Sequence, residues 1–250
     1  MNAMAERLLI ALDSVAFAER QLGFHLDPWQ ADLLRSPAKR IITLCSRQAG
    51  KSTTAAVLAL HTALYQPGSL ILLVSPSLRQ SSELFRKVHG FLNQLPERPR
   101  LQEDNKLSLE LPSGSRIASL PGSEDTIRGF SAPSLVIEDE AARCEDGLLH
   151  AVSPMLAVSD GKLVLMSTPA GQHGHFHRFW TEGDGWERFK VTADECPRIS
   201  PAFLEQERAI MGDRWFRQEY HCEFLMDADG VFSYDDVMAC VIGDRHALLR

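Results

Sequence analysis

The sequence predicts an α/β fold in which a parallel β-sheet is flanked by helices. Strand-like apolar runs alternate with helix-like segments along the chain. One apolar run leads through a short glycine-containing loop into an alanine-rich helical stretch, and another ends in three consecutive acids. The 250 residues, of which 44% are apolar, suit one large domain with a sizeable core.

Each element has its own signal. Strands are predicted where short apolar runs are bounded by polar or turn residues, at 40–45, 69–75, 134–139, 162–167 and 186–192. Helices are predicted at 4–20, 51–65, 78–94, 145–157, 174–181, 201–209 and 213–222. Between residues 106 and 121, apolar and polar residues alternate around a Pro-Ser-Gly-Ser turn, which predicts a β-hairpin inserted into the sheet or placed at its edge.

Charge and composition limit the classes of function. The net charge of −7 argues against binding to nucleic acid through overall charge, so any DNA contact must use a local basic patch. Five cysteines without metal-binding or C-x-x-C spacing indicate a reducing cytosol. The apolar run at residues 8–12 is too short for a signal peptide or a membrane span. We expect a cytosolic protein with no membrane partner.

The first functional motif is the loop that joins strand 40–45 to the next helix. Strand, loop and helix in this order suit a phosphate-binding loop, because backbone N–H groups and the positive end of the helix dipole face one point. Lys51 is expected to reach the β- and γ-phosphates of ATP, and the Ser52 hydroxyl to ligate Mg²⁺. Cys45 replaces the first glycine of the usual pattern. The candidate nucleotide-binding residues are Ser46, Arg47, Gln48, Ala49, Gly50, Lys51, Ser52 and Thr53.

The second motif is Glu138-Asp139-Glu140 at the end of an apolar strand. A carboxylate at a strand tip suits Mg²⁺, which is the role predicted for Asp139. Glu140 is predicted to orient the attacking water or to take its proton. Strand alternation places Glu138 on the face opposite Asp139, where we expect a basic partner. The alternative is a surface turn of three acids unrelated to ATP.

Three further residues are candidates for nucleotide recognition and coupling. Gln30, which precedes the first strand, is a candidate adenine reader because an amide both donates and accepts hydrogen bonds; the alternative is an ordinary glutamine on a helix surface. Ser167 and Thr168 follow strand 162–167, and we expect them to sense loss of the γ-phosphate. Their alternative is a strand exit capped by hydroxyl groups.

Two arginines are candidates to neutralise the transferring phosphoryl group, a contribution of about 10³–10⁵ in rate. Arg47 lies inside the loop and would act in cis, whereas Arg128 would act on a neighbouring subunit's site or form a surface salt bridge.

The alternate spacing of His173, His175 and His177 suggests a metal site. No nearby acid or cysteine completes a ligand set, so we prefer a solvated loop that enters a helix.

Five motifs resemble, in order and spacing, those of the large terminase subunits of tailed bacteriophages and prophages: Trp29-Gln30, Ser46-Arg47-Gln48-Ala49-Gly50-Lys51-Ser52, Arg128-Gly129, Asp139-Glu140-Ala141-Ala142 and Ser167-Thr168-Pro169. The resemblance covers about residues 26–232. It implies a P-loop NTPase of the RecA-like (ASCE) type that uses ATP and Mg²⁺ to drive double-stranded DNA into a procapsid in the bacterial host cytosol. The implied partners are the portal protein, the small terminase subunit and further copies of the chain in a ring.

The resemblance also implies a division into domains. Residues 1–225 would be the ATPase domain, with an N-terminal helix in 1–25 and the core in 26–225. Residues 226–250 would be a linker and the start of a missing nuclease domain, and we expect no nuclease activity because Asp235 and Asp236 are too few acids. The chain would then be an expressed fragment, half of a split gene or a prophage remnant. The alternative functions are a nucleotide-binding remnant or a helicase-like ATPase, although nothing after Glu223 would build a helicase's second lobe.

Overall fold

The computed structural model describes residues 2–226. Its helices are α1 (Ala3–Leu12), α2 (Ser14–Gln21), α3 (Pro28–Arg35), α4 (Lys51–Tyr65), α5 (Leu78–Gln94), α6 (Glu124–Ile127), α7 (Leu148–Ser159), α8 (Gly174–Thr181) and α9 (Pro201–His221). Its strands are β1 (Arg40–Cys45), β2 (Leu70–Ser75), β3 (Glu103–Asp104), β4 (Ser108–Glu110), β5 (Arg116–Pro121), β6 (Leu135–Asp139), β7 (Lys162–Ser167) and β8 (Glu187–Val191). Within residues 2–226, no helix is both long enough and apolar enough to cross a bilayer.

All eight strands form one sheet in the order β3-β4-β5-β2-β6-β7-β1-β8. The six strands from β5 to β8 in this order pair in parallel, whereas β4 pairs antiparallel with both β3 and β5. The predicted α/β fold is therefore confirmed, and the predicted hairpin extends the sheet beyond β2 as an edge element. Because β6, β7 and β1 are parallel neighbours, their carboxyl ends lie side by side at one edge of the sheet.

Helices cover both faces of the sheet. Ile41 packs with α2 and α4 in one apolar cluster, and its neighbour Ile42 packs with α7 and α8 in a second cluster on the opposite face. Successive strand residues point to opposite faces, so a strand buried on both sides reads as a continuous apolar run. This is why the central strands were predicted almost to the residue.

The N-terminal helix prediction was wrong in one respect. The predicted helix at 4–20 is two helices, because Asp13 has an extended backbone and its Oδ1 accepts a 2.9 Å hydrogen bond from Val15 N, which caps α2. Helix α3 was not predicted. It starts with Pro28 at its first position, behind a capping box formed by Asp27 and Gln30.

The last helical segment agrees with its prediction. The two helices predicted at 201–209 and 213–222 are the two parts of α9, which are separated by a kink at Gly212. Gly212 has a φ of +79°, a left-handed backbone conformation that strains residues with a Cβ. The kink explains why the helical pattern was interrupted in the sequence. Residues 227–250, including Asp235 and Asp236, lie outside the described residues.

Candidate functional site

The phosphate loop turns sharply before α4. Gln48 and Gly50 both have left-handed backbones, with φ values of +62° and +96°. Gly50 is the N-cap of α4, and a Cβ at this position would lie 2.8 Å from Gln30 Nε2. Glycine at position 50 is thus required both by the backbone conformation and by the space available.

Neighbouring elements anchor the start of the loop. Ser46 N donates to Val191 O at 2.8 Å, and Arg47 N donates to Glu219 O at 2.9 Å. These bonds connect the loop to β8 and to the last turn of α9. Cys45 and Ala49 are fully buried beneath the loop, so the position of the missing first glycine is filled by a core side chain. Ser46 is also fully buried.

The structure brings the two motifs together at the start of α4. Ser52 Oγ donates to Asp139 Oδ2 at 2.9 Å. Lys51 Nζ lies 2.9 Å from Glu140 Oε1. The predicted metal ligands are therefore in direct contact, and the predicted phosphate-binding lysine touches the predicted catalytic carboxylate.

Electrostatic interactions keep Lys51 charged. Burial opposes the charged form of Lys51, but the Glu140 and Asp139 carboxylates outweigh it and raise the pKa of the ammonium above its ordinary value. Burial raises the pKa of Asp139, while Lys51 and the Ser52 hydroxyl act in the opposite direction. The oxygen atoms of Ser52 and Asp139 are ligands of the kind that Mg²⁺ prefers.

A cavity of about 520 Å³ opens at this point. It has the size of a small-molecule site. Seven of its lining residues are predicted nucleotide-binding residues, while Ser46 and Ala49 lie beneath the loop and do not line it. The lining residues are Phe24, Gln30, Arg47, Gln48, Gly50, Lys51, Ser52, Thr53, Lys87, Glu140 and Arg198.

Gln30 lines this cavity with an amide that already has partners. Its Oε1 accepts from Asp27 N at 2.8 Å, and its Nε2 donates to Thr54 Oγ1 at 2.9 Å. The side chain is fully buried, so it joins the N-terminus of α3 to α4. Its role as an adenine reader remains a prediction.

Arg198 is a cavity residue that the sequence did not single out. Its Nη2 donates to Ala49 O at 2.9 Å, and its Nη1 donates to Asp27 Oδ1 at 2.7 Å. The guanidinium thus joins the phosphate loop to the start of α3. Lys87 of α5 lines the same cavity and was also missed. Neither residue belongs to a local motif, so the sequence offered no signal for them.

Glu140 occupies a turn with a left-handed backbone, at a φ of +56°. Besides Lys51, it accepts a 3.0 Å hydrogen bond through Oε2 from Arg143 Nη1. Arg143 ends the 3₁₀ turn Ala141–Arg143, and its Nη2 donates to Glu219 Oε1 at 3.3 Å. Sequence reasoning missed both Arg143 and Glu219.

Ser167 and Thr168 are buried at the end of β7 and contact the same turn. Ser167 Oγ accepts from Ala142 N at 3.2 Å, and Thr168 Oγ1 accepts from Arg143 Nη1 at 3.0 Å. A movement of the turn after Asp139 would therefore alter the contacts of Ser167 and Thr168, the residues predicted to couple hydrolysis to neighbouring loops.

The two candidate arginines lie in different places. Arg47 lines the cavity, and its Nε lies 3.0 Å from Glu219 Oε2. Arg128 follows α6, has a side chain that is 65% exposed, and pairs with Glu124. The structure does not bring Arg128 to the cavity within its own chain, so a trans role remains a prediction.

The expected basic partner of Glu138 is confirmed. Glu138 Oε1 and His175 Nε2 are 2.9 Å apart, and both side chains are buried. His175 also contacts Asp146 Oδ1 through its backbone N at 2.6 Å and through Nδ1 at 3.2 Å. The preferred interpretation of a solvated loop was wrong for this residue, because His175 is a core residue of α8 that joins it to β6.

Comparisons with known proteins match the chain to one family. A family model described as "Terminase large subunit, T4likevirus-type, N-terminal" matches residues 42–238. The terminase large subunit of Thermus phage G20c is 28% identical over an alignment of 263 positions, which covers 90% of this chain and 54% of that protein. The chain spans about half the length of the curated relatives it matches.

Similarity to solved structures supports the assignment of the fold. The large terminase ATPase domain of Thermus phage P74-26 is 26% identical, with a TM-score of 0.67, and the match covers 82% of this chain and 96% of that one. The large terminase of the thermophilic bacteriophage D6E, solved in complex with ADP, is 14% identical with a TM-score of 0.65. That match covers 80% of this chain and 54% of the D6E chain, and it supports the fold.

Proposed function

The chain belongs to the family of terminase large subunits, and on this premise we propose that it is the ATP-hydrolysing motor part of a phage DNA-packaging machine. The family resemblance predicted from the sequence is confirmed. The match to nearly the whole of a solved terminase ATPase domain supports assigning the described residues to ATP hydrolysis. Family membership favours this motor over a helicase-like ATPase.

One observation carries the proposal. Two pairs of side chains from motifs about ninety residues apart in sequence meet at the start of α4: Ser52 with Asp139, and Lys51 with Glu140, each at 2.9 Å. An unrelated acidic surface turn would have no reason to contact a phosphate loop. Together the two pairs supply groups that phosphoryl transfer requires: a lysine for the phosphates, oxygen ligands for a metal ion and a carboxylate that can act on water.

Each site residue has a proposed role that follows from its position. Backbone N–H groups of the loop and the N-terminus of α4 hold the phosphates, and Lys51 moves from Glu140 to the β- and γ-phosphates. Glu140 is then free to accept a proton from water or to orient it. Arg47, which lines the cavity with a side chain that is 61% exposed, would contact the phosphates in cis.

Ser52 and Asp139 would hold Mg²⁺. When bound, the ion would neutralise charge that develops on the transferring phosphoryl group. The fit rests on two adjacent hard oxygen donors that lie 2.9 Å apart.

The partners follow from the family and are part of the proposal. We propose double-stranded DNA as the substrate that is moved, and the portal protein and small terminase subunit as binding partners. We propose a homo-oligomeric ring as the active assembly and the host cytosol as its location. We also propose residues 1–225 as the ATPase domain and 226–250 as a linker.

The test is steady-state ATP hydrolysis against protein concentration, with Mg²⁺ and linear duplex DNA, and with Glu140→Gln as the blank. A rate that rises faster than linearly with concentration would support a self-assembling motor with a shared site. A rate equal to that of the blank, in a protein that still binds ATP, would instead support a nucleotide-binding remnant.

A further inference from the structure

Five charged side chains of alternating sign form a continuous series of ion pairs. The series starts in the phosphate loop with Arg47 and returns to it with Lys51, through Glu219, Arg143 and Glu140. The distances are 3.0 Å for Arg47 to Glu219, 3.3 Å for Glu219 to Arg143, 3.0 Å for Arg143 to Glu140 and 2.9 Å for Glu140 to Lys51. Arg143 is the cation that lies between the two carboxylates.

Both carboxylates need a cation. The Glu219 side chain is only 9% exposed and that of Glu140 is 23% exposed, so an unpaired charge on either would be poorly solvated. Each carboxylate has Arg143 on one side and a cation of the phosphate loop on the other. The arginine is itself held in place by a third bond, to Thr168 Oγ1 at 3.0 Å.

Nucleotide binding would remove the outer cations from this series. Under the proposed function, Lys51 leaves Glu140 for the phosphates, and Arg47, whose side chain is 61% exposed, turns from Glu219 toward the same ligand. Glu140 would then lie beside an anionic triphosphate without its lysine partner. Repulsion between the two anions would oppose binding unless another cation stays on Glu140.

We propose that Arg143 is a positioning residue that keeps Glu140 paired while Lys51 binds phosphate. Affinity for ATP and the orientation of the catalytic carboxylate then both depend on the Arg143–Glu140 contact. The inference rests on the proposed function and adds to it a residue that neither nucleotide motif contains. Through Thr168, the same guanidinium joins Glu140 to the end of β7.

The test is a double-mutant cycle on affinity for Mg²⁺-ATPγS, measured by titration calorimetry. We expect Arg143→Gln to weaken binding about tenfold, since hydrogen bonds between charged groups contribute at this level. In a Glu140→Gln background the same substitution should weaken binding less than about twofold, because a neutral amide needs no cation. Equal losses in both backgrounds, or no loss in either, would overturn the proposal.

Two further variants separate positioning from a structural role. Arg143→Gln leaves the buried Glu219 with one partner fewer and is expected to destabilise the fold. Adding Glu219→Gln should restore the midpoint of chemical unfolding but leave the weakened affinity unchanged. If affinity recovers together with stability, Arg143 acts only by neutralising Glu219, and the proposal fails.

A conservative substitution of Arg143 and a control substitution of another arginine complete the set of variants. Arg143→Lys keeps the charge and should retain affinity within a few-fold of the wild type. Arg20→Gln removes an exposed arginine that pairs with Glu6 at 3.3 Å, away from the cavity, and should have no effect.

The cycle needs binding but not turnover, so the two proposals fail separately. A wild-type protein that binds ATPγS without hydrolysing ATP would contradict the motor function and leave the cycle interpretable. A wild-type protein that binds no nucleotide would overturn both the phosphate-loop assignment and the positioning role of Arg143.

Discussion

Lys51 determines the charge balance of the site. It is buried between Glu140 and Asp139, whose carboxylates raise its pKa, so its ammonium is available to a phosphate at any pH near neutrality. Ser52 lies one residue further along α4 and contacts Asp139. A single helical turn thus presents both the cation for the phosphates and the hydroxyl for the metal.

Lys51→Ala should weaken ATP binding by about 10- to 100-fold, because a charged hydrogen bond to the phosphates is lost. Calorimetric titration with Mg²⁺-ATPγS would measure it. Lys39→Ala is a matched control, since Lys39 pairs with Asp160 before β1, at the opposite edge of the sheet. Near-normal affinity in Lys51→Ala would contradict the phosphate-loop assignment.

Glu140→Gln should bind ATP but hydrolyse it about 10²- to 10⁴-fold more slowly, since the amide cannot accept a proton. A comparison of single-turnover hydrolysis with nucleotide affinity would check this. If the variant kept its rate, the catalytic base would have to be another residue.

At the scale of elements, β6 and α8 are joined by a buried pair. Glu138 precedes the proposed metal ligand Asp139 on β6, and His175 lies in the first turn of α8. Asp146, from the loop before α7, completes the contact. The helix that follows the Ser167–Thr168 segment is therefore held against the strand that ends at Asp139, next to the candidate catalytic acid Glu140.

This pair should make stability depend on pH. Burial alone would lower the pKa of His175, but Glu138 and Asp146 outweigh burial and raise it above the ordinary 6.5. The charged imidazole thus contributes its full stabilisation below pH 6.5, and this contribution is lost as the pH rises through the raised value. Chemical unfolding between about pH 6 and 9 should show a free energy of unfolding that falls with pH in this range.

In His175→Gln, that part of the decline should disappear. His177→Gln is the matched control on the same helix, because the pKa of His177 is lowered by burial and not raised. A wild-type decline that persists unchanged in His175→Gln would assign it to another group.

At the scale of the whole molecule, the cavity proposed to bind ATP is open to solvent. Arg47 and Arg198 form part of its exposed wall, and Arg128 lies elsewhere on the surface with its side chain 65% exposed. An assembly in which Arg128 of one subunit reaches the cavity of the next would close the site. Such an arrangement would make hydrolysis depend on assembly.

Arg128→Ala should lower the hydrolysis rate of the assembled protein by up to about 10³-fold, while the rate of the dilute monomer stays the same. Rates measured across a concentration series, with assembly followed by light scattering, would separate the two. Arg86→Ala, which removes an equally exposed arginine paired with Glu83, is the control. Equal losses in monomer and assembly would argue against a trans role.

The sequence by itself determined the parts that depend on neighbouring residues. The strands buried on both faces read as apolar runs, and β1 and β7 lie at the predicted positions. A phosphate loop and acids at a strand tip are also local signatures, so Lys51, Ser52, Asp139 and Glu140 were singled out before their contacts were known. Even the basic partner of Glu138 followed from alternation along one strand.

Only the tertiary structure decided which distant residues complete the site. Arg143 and Glu219 are 76 positions apart, and Arg198 contacts Ala49 across 149 positions. The sequence around an arginine on a turn, or around a glutamate on a helix, contains no pattern that predicts which distant residue it will contact. His175 was placed in its helix by the sequence, but its burial against Glu138 was not. The parallel order of β6, β7 and β1 brings these groups together, because it sets which strand ends are neighbours.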